Sequence, residues 1–226
     1  MRSAPLGALL LGPLLLGCAE RTAAPPPPLG AGDRPVVAVL AFRAGGELSP
    51  EATFGGDAAP APDEEELGER VARTLSGHLA AAGVAVVDSD VALGAAALTD
   101  RGAYDPRLAS RVAKKVGANL VVLGAVSRYR ERDGTAWAAN APASVAFQAA
   151  LVRASDGAVL TVERFDYTQQ ALSENLLDLG KFVQAGGRWL TREEILNAGL
   201  RQTAERFAAA LRGDPAGSPR RRGGRR

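Results

Sequence analysis

One segment constrains the fold of this chain more than any other, an unbroken apolar run from Leu120 to Val126 with the sequence LVVLGAV. Runs of this length and composition are typical of a strand whose two faces are both buried. Such a strand needs neighbours on both sides, so we expect it to lie at the centre of a sheet. The alternation of polar and apolar side chains over residues 127–130 predicts that the strand continues with one face in solvent.

Apolar segments upstream predict two further strands with a helix between them. The run from Val36 to Phe42 (VVAVLAF) indicates a second strand buried on both faces, and residues 84–87 indicate a short third one. A helix is expected from Asp63, which can cap the first turn, to Gly83. Its apolar side chains recur every four residues, at Leu67, Val71, Leu75 and Leu79.

The middle of the chain predicts another helix next to the central strand. Asp105 and Pro106 are a good N-cap and first helical residue, and Gly117 ends the helix. For residues 91–99 the pattern leaves a short helix and a loop open. Asp133 and Gly134 are expected in a turn or loop.

The second half of the chain predicts a hairpin followed by helices. Residues 145–151 and 159–165 have strand patterns and are joined by a tight turn at residues 155–157. A short helix is expected over about residues 173–184. Thr191 and Glu194 form a capping box, which predicts a last helix that continues to Leu211.

These elements predict an α/β fold with a mixed sheet of about five strands, flanked by helices, in a single domain over residues 36–212. Hydrophobic residues make up 46% of the chain but aromatic residues only 5%, so we expect a core of valine, leucine and alanine. Residues 213–226 are predicted to be a disordered, arginine-rich tail.

The single cysteine, Cys18, closes the run Leu15-Leu16-Gly17-Cys18 directly after an apolar stretch that begins at Leu6. With Arg2 ahead of it, this stretch of about eleven residues has the layout of a secretory signal. It is too short to span a bilayer, which takes about 20 residues. The four residues resemble the lipobox of bacterial lipoprotein precursors, although an ordinary signal peptide ending near a cysteine would share the pattern.

The resemblance to a lipobox implies an anchored protein outside the cytoplasm. Residues 1–17 would be the lipoprotein signal peptide, and Cys18 would be lipidated on sulfur and acylated, with palmitate among the fatty acids. Residues 18–35, with prolines at 25–28, would be a stiff tether. By the same resemblance, Ala19 after the cysteine favours the periplasmic face of the outer membrane.

Charge and residue types exclude several other classes of function. The formal charge is +2, but Arg220, Arg221, Arg222, Arg225 and Arg226 supply five positive charges, and without them it is about −3. The folded part is therefore not expected to bind nucleic acid. The arginine tail suits anionic headgroups or an acidic partner, although a solvated tail is the more economical interpretation.

Candidate reactive groups are few, and we predict no catalytic residue, metal site or cofactor. His78, the only histidine, falls near the apolar face of the first helix and is expected to be structural. Residues 63–66 are expected to be a solvated helix start. Asp88 and Asp90 follow a strand, where we expect them to cap a turn.

Two aromatic residues are candidate contacts for a partner protein. Tyr129 and Trp137 belong to a chain in which aromatic residues are scarce, and aromatic side chains are enriched where proteins bind each other. Trp189, beside a helix start, is expected to be a core contact instead.

The order of elements and two short motifs carry a further resemblance, over residues 36–167. Gly117-Ala118-Asn119 leads into LVVLGAV, and Ser155-Asp156-Gly157 joins the strands of the hairpin. The arrangement resembles the periplasmic α/β domain shared by the curli-secretion lipoprotein CsgG, the flagellar lipoprotein FlgO, the penicillin-binding-protein activator LpoB and the N-terminal domain of TolB. This resemblance implies an accessory or assembly factor for an envelope machine, flagellar, cell-wall or transport, and not an enzyme.

Two rival functions stay open beside an accessory factor with an envelope protein as partner. One is a subunit of an oligomeric, curli-type secretion channel, but residues 131–143 are too short and residues 168–190 too helical in pattern for membrane-inserted strands. The other is an envelope enzyme whose site joins His78 to Asp88 or Asp90. A homo-oligomer is compatible with all of these functions.

Overall fold

The computed structural model describes residues 34–45, 62–97, 106–135, 139–169 and 189–213. The helices are α1 (Pro62–Ala81), α2 (Ser89–Ala97), α3 (Pro106–Val116) and α4 (Arg192–Leu211). The strands are β1 (Val36–Val39), β2 (Arg43–Ala44), β3 (Ala85–Val86), β4 (Leu120–Arg130), β5 (Asp133–Gly134), β6 (Ala139–Ala141), β7 (Ser144–Arg153) and β8 (Val159–Thr168).

The central position predicted for β4 is confirmed. The main sheet has the order β3-β1-β4-β7-β8, and β2 joins it beside β4 as a short sixth strand. β4 is parallel to β1 and β2 on one side and antiparallel to β7 on the other. Every residue from Leu120 to Val126 is buried, as expected for a strand that is covered on both faces. The chain therefore has the mixed α/β sheet that the sequence predicts.

Helices cover both faces of this sheet. The larger core lies between the sheet and the pair α1 and α4, which pack against each other. The smaller core lies under α3, where Val112 meets Val121, Leu123 and Val152 among several alanines. α2 packs against α3, β1 and α1. Valine, leucine and alanine dominate both cores, as the composition predicts.

The strand predicted over residues 36–42 is wrong in its last three residues. β1 ends at Val39, although the Leu40 N–H still donates to the Val122 carbonyl at 3.1 Å. The Phe42 N–H leaves the sheet and donates to the Gly68 carbonyl in α1, also at 3.1 Å. Because this backbone contact to a helix replaces a ladder bond, the strand breaks, and β2 begins at the next residue, Arg43.

A row of aromatic rings crosses the sheet beneath α1 and α4. The Phe147 ring meets Phe42 edge-on at 6.4 Å between centroids and stacks on Phe165 at 5.2 Å. Two glycines make room for the row, since a Cβ at Gly124 would lie 2.1 Å from the Phe42 ring and one at Gly199 would lie 2.8 Å from Phe165. The row thus fixes the distance of both helices from the sheet.

Smaller elements confirm some predictions and correct another. Of residues 91–99, left open between helix and loop, those up to Ala97 belong to α2 and the last two lie outside the described residues. The start of α2 is capped by Asp88, which accepts from the N–H groups of Asp90 and Val91. The turn predicted at Asp133–Gly134 is wrong, because these residues form β5 and pair with β6. The hairpin of β7 and β8 is confirmed, and each strand is longer than predicted.

Several predicted segments lie outside the described residues. They are the signal peptide with its lipobox, nearly all of the tether, the helix over residues 173–184 and the arginine tail. No helix within the described ranges combines the length and the apolar character needed to cross a bilayer.

The contact between α1 and the end of β1 predicts opposite effects for two glycines of the same helix. A Cβ at Gly68 would lie 2.0 Å from the Phe42 carbonyl oxygen, whereas a Cβ at Gly77 would meet open space. Gly68→Ala should lower the free energy of unfolding by about 1–3 kcal/mol. Gly77→Ala should raise it by about 0.5–1 kcal/mol, because alanine favours the helix. Urea denaturation measures both, and equal effects would contradict the close approach of Gly68.

Candidate partner-binding cleft

An open cleft of about 360 Å³ lies where the second half of β4 passes the first turns of α1 and α4. Apolar and charged residues together line it. Its lining includes Asp63, Glu64, Glu66, Leu67 and Arg70 from α1, Val126, Ser127, Arg128 and Tyr129 from β4, and Arg192 from α4. Side chains of both charges therefore surround one aromatic ring.

The acidic wall of the cleft is the start of α1. Asp63, Glu64 and Glu65 lie in its first turn, where carboxylates favour the positive end of the helix dipole. Glu64 is half-buried, and Asp63, Glu65 and Glu66 are exposed, consistent with the expected solvated helix start. Within the described ranges, histidine, cysteine, aspartate and glutamate form no group of three or more that could hold a metal ion.

A β-bulge at Ser127 brings Tyr129 into the cleft. Val126 lies opposite Phe147, but the next paired residue of β4 is Arg128, opposite Ala146, so Ser127 is the extra residue. In a regular strand Val126 and Arg128 would share a face. The bulge instead puts Tyr129 on the α1 and α4 face and sends Arg128 to the opposite face.

Three charged side chains hold Tyr129 in place. Its hydroxyl donates to the Glu193 carboxylate, and the Arg192 guanidinium lies over its ring, 4.4 Å from the centroid. Arg70 of α1 approaches the same Glu193 carboxylate at 3.7 Å. Arg192 also lies 3.8 Å from a carboxylate oxygen of Glu131. The cluster of Tyr129, Arg70, Arg192 and Glu193, which we call the tyrosine cluster, thus joins α1, β4 and α4.

Burial and the Glu193 carboxylate together raise the pKa of Tyr129 to about 12. Burial is the larger cause, because the phenolate would lose hydration; Glu193 adds to it as hydrogen-bond acceptor and as a negative charge. Arg192 and Arg70 oppose the shift. At neutral pH the tyrosine is therefore a fixed hydrogen-bond donor.

The start of α4 places Arg192 and Glu193 beside Tyr129. The predicted capping box is confirmed: Thr191 Oγ1 accepts from the Glu194 N–H at 3.2 Å, and the Glu194 carboxylate accepts from the Thr191 N–H at 2.9 Å. One residue earlier, the Leu190 N–H donates to the Gln169 side chain at 2.7 Å, which ties the helix start to the end of β8.

The predicted site residues fall in different places. Tyr129, a predicted partner contact, is half-buried in the cleft. Trp137, the second one, and the lipobox residues lie outside the described residues. Trp189, expected to be a core contact, is half-buried, and its carbonyl accepts from Arg132 at 3.4 Å.

The three residues of the enzyme hypothesis have other partners. His78 Nε2 lies 2.7 Å from the Asn197 side-chain oxygen, which links α1 to α4. Asp88, predicted to cap a turn, caps the start of α2, and Asp90, predicted to do the same, forms an ion pair with Arg73 at 3.1 Å. None of the three belongs to the lining of the cleft.

The sequence patterns did not single out Arg70, Arg192 and Glu193. Arg70 lies well inside α1, whereas the other two residues begin α4, far away in the chain, and exposed arginine and glutamate are common on helices. The capping box was the one signal near them, because it fixes where α4 begins and hence where its first two side chains lie.

No protein-family model matches the sequence, and comparison with curated proteins gave no match either. Solved structures do resemble the fold. The PelC dodecamer from Paraburkholderia phytofirmans has 16% identity and a TM-score of 0.44, over 76% of this chain and 86% of PelC. Lipoprotein GNA1162 from Neisseria meningitidis has 16% identity and a TM-score of 0.43, over 68% of this chain and 95% of its own. The LpoB C-terminal domain from Salmonella enterica has 18% identity and a TM-score of 0.34, over 63% of this chain and 88% of that domain.

The raised pKa of Tyr129 predicts how stability depends on alkaline pH. Because the pKa is higher in the folded chain, about 12, than the ordinary value of 10.0, the stabilising effect of the hydroxyl is complete below pH 10 and is lost as the pH rises through 12. Tyr129→Phe should cost about 1 kcal/mol below pH 10, and the difference from the parent should shrink above it. Urea denaturation at several pH values measures this.

A spectroscopic control identifies the group. The chain has 3 tyrosines, and Tyr129→Phe should remove one whose ultraviolet absorbance titrates at about pH 12. Loss of a tyrosine that titrates near the ordinary value would contradict the hydrogen bond to Glu193.

Proposed function

We propose that this protein is a lipid-anchored accessory factor of a bacterial cell envelope, on the periplasmic side of the outer membrane. In this proposal it has no enzymatic activity. It presents its α/β domain to another envelope protein, which binds in the cleft around the tyrosine cluster. The machine it serves is flagellar, cell-wall or transport, as the resemblance of the sequence implies.

The proposed anchor is supported by the N-terminal sequence. Leu15-Leu16-Gly17-Cys18 follows an apolar stretch of signal-peptide length, and a proline-rich segment separates it from β1. Several acyl chains on one residue would bind a membrane firmly, whereas a single chain binds only marginally. The tether then fixes how far the domain reaches and raises its local concentration near a partner on the same membrane.

The observation that carries the docking proposal is that contacts within the tyrosine cluster hold its side chains in fixed positions. Tyrosine and arginine are the residues most often found at energetic hot spots of protein interfaces. Here the Tyr129 hydroxyl donates to the Glu193 carboxylate and the Arg192 guanidinium covers one face of the ring. Side chains that are already ordered lose little entropy on binding.

The pKa of Tyr129 supports binding over acid–base catalysis. A general acid or base works best when its pKa lies near the operating pH. The surroundings of Tyr129 raise its pKa to about 12, away from neutrality. The cluster is therefore suited to hold an aromatic ring in a fixed position, with its hydroxyl already donated to Glu193.

The charges of the cleft indicate the kind of partner segment that fits. Asp63 and Glu66 in the lining can receive a lysine or arginine, while Arg70 and Arg192 can receive a carboxylate. A partner segment with a basic, an acidic and an apolar side chain would complement the charged and apolar residues of the cleft.

Photo-crosslinking in cells tests this docking surface. A photoreactive amino acid replaces exposed Glu66 in the cleft or, as a control, exposed Arg111 on α3. We expect a discrete adduct with an envelope protein from position 66 and none from position 111. Mass spectrometry identifies the adduct.

Two matched variants of α4 sharpen the result. Arg192→Ala, in the cleft, should reduce the adduct from position 66 about tenfold or more. Arg201→Ala, on the same helix but outside the lining, should leave it unchanged. Equal capture in both variants would contradict docking at the tyrosine cluster, provided that circular dichroism shows both to be folded.

The anchor is tested separately. Cys18→Ser should abolish incorporation of labelled palmitate and move the protein from the membrane pellet to the soluble fraction, because the acceptor sulfur is lost. A Cys18→Ser protein that still sediments with membranes would refute the tether, whatever the outcome at the cleft.

Sizing and mutagenesis separate the two rival functions. A ring of many copies after detergent extraction would favour a channel subunit. If a His78→Ala variant that retains its stability no longer supports the protein's function in cells, that result would favour an enzyme.

A further inference from the structure

We propose that β8 pairs with β8 of a second copy of this chain, antiparallel and centred on Phe165, so that two sheets join into one. This self-association is independent of the proposed docking function. It uses a different surface, the edge of the sheet that lies farthest from β3.

The outer edge of β8 carries backbone groups that can form such a pair. The Gln169 N–H donates to the Ala143 carbonyl at 3.3 Å, so odd-numbered residues of this ladder point their backbone groups toward β7. In an antiparallel ladder adjacent residues point to opposite sides. The N–H and C=O groups of Val162, Arg164, Asp166 and Thr168 therefore face the free edge of the sheet as described.

Symmetry restricts how two copies can align. A two-fold axis perpendicular to a continuous sheet keeps each face of the sheet on its own side. The central residue of β8 must then lie opposite its own copy, because a register that sets odd-numbered opposite even-numbered residues would place their side chains on different faces. In every such register even-numbered residues lie opposite even-numbered residues, so the outward backbone hydrogen bonds form whichever residue is central. The candidates in the middle of β8 are residues 163–167.

Charge selects Phe165 among these five. Centring on Glu163, Arg164 or Asp166 would place two like charges opposite each other, and centring on Tyr167 would pair Asp166 with Thr168. Centring on Phe165 places Arg164 opposite Asp166 of the second copy, twice over. Opposite charges directly across a strand pair are favourable and like charges are not, so this register is preferred.

Asp166 is already positioned to receive a second guanidinium. Arg128 of β4 reaches across the small side chain of Ala146 and contacts one Asp166 oxygen, Oδ1, and the Thr168 hydroxyl at 3.3 Å. No contact within the described residues uses the other Asp166 oxygen, Oδ2. Arg164 of the second copy can therefore bind this oxygen without displacing Arg128.

The side chains around the axis also fit. Val162, 43% exposed, would lie opposite Thr168 of the second copy and lose contact with water. The aromatic row from Phe42 through Phe147 to Phe165 would continue into the Phe165 ring of the other chain.

The α4 helices leave room for each other. Gly199 of α4 lies against both Phe147 of β7 and Phe165 of β8, so the helix runs above the line between these strands. With strands about 4.8 Å apart, two such helices across the axis would lie about 10 Å apart. Helices normally pack at about 8–10 Å, so the pairing brings no clash between them.

A charge-swap pair tests the interface with the full-length chain extracted in a mild detergent. Arg164→Asp places two carboxylates opposite each other, and Asp166→Arg places two guanidiniums opposite each other. Each variant alone should dimerise about tenfold more weakly than the parent. A mixture of the two should form one-to-one heterodimers, because every cross-strand pair is then again of opposite charge.

Arg111→Asp on α3 is the matched control, because it makes the same change of charge at an exposed site away from β8. Sedimentation velocity and native mass spectrometry measure the populations. A parent chain that stays monomeric at every concentration and also when bound to vesicles would overturn the proposal. So would a dimer that is equally strong in Arg164→Asp and Arg111→Asp.

Hydrogen exchange tests the register independently. The amides of Val162, Arg164, Asp166 and Thr168 should exchange slowly at high protein concentration and quickly at low concentration. The amides of the odd-numbered residues, bonded to β7, should be protected at both. Concentration-independent exchange at all four even positions would also overturn the proposal.

Discussion

The extra residue at Ser127 decides what the second half of β4 presents on each face of the sheet. Without the bulge, Arg128 would follow Val126 onto the face covered by α1 and α4, where a guanidinium would lose its hydration. The bulge exchanges the two side chains, so that an aromatic ring enters the layer of the helices and the charge leaves it. Both surfaces for which we propose a role depend on this one irregularity.

The consequences differ on the two faces. On the helix side, Tyr129 meets the start of α4, and its hydroxyl finds the Glu193 carboxylate. On the other side, Arg128 crosses Ala146 to reach Asp166 on the edge strand. A larger residue than alanine at this position of β7 would stand between them. One bulge and one small side chain thus connect the cleft at the end of the sheet to the charges along its edge.

Much of the fold follows from local pattern, and the parts that do not follow depend on distant contacts. The apolar run 120–126 predicts β4, because an unbroken run indicates a strand with both faces buried. The four-residue spacing from Leu67 to Leu79 predicts α1, because it indicates a helix with one buried face. The early end of β1 is different: it results from a hydrogen bond between Phe42 and Gly68, and nothing in VVAVLAF signals a helix backbone at that place. The bulge at Ser127 and the pairing of β5 with β6 likewise depend on their partner strands.

The tyrosine cluster escaped prediction for the same reason, and its energetics explain what it contributes. Arg70 and Glu193 lie 3.7 Å apart with side chains 45% and 51% exposed. Such exposed ion pairs add about 0–1 kcal/mol to stability, so the fold gains little from this one. Its larger effect is on geometry, because it holds Glu193 where the Tyr129 hydroxyl can donate to it while Arg192 covers the ring. An ion pair that adds little to stability but helps to fix an aromatic ring and a guanidinium beside a cleft is consistent with the recognition role that we propose.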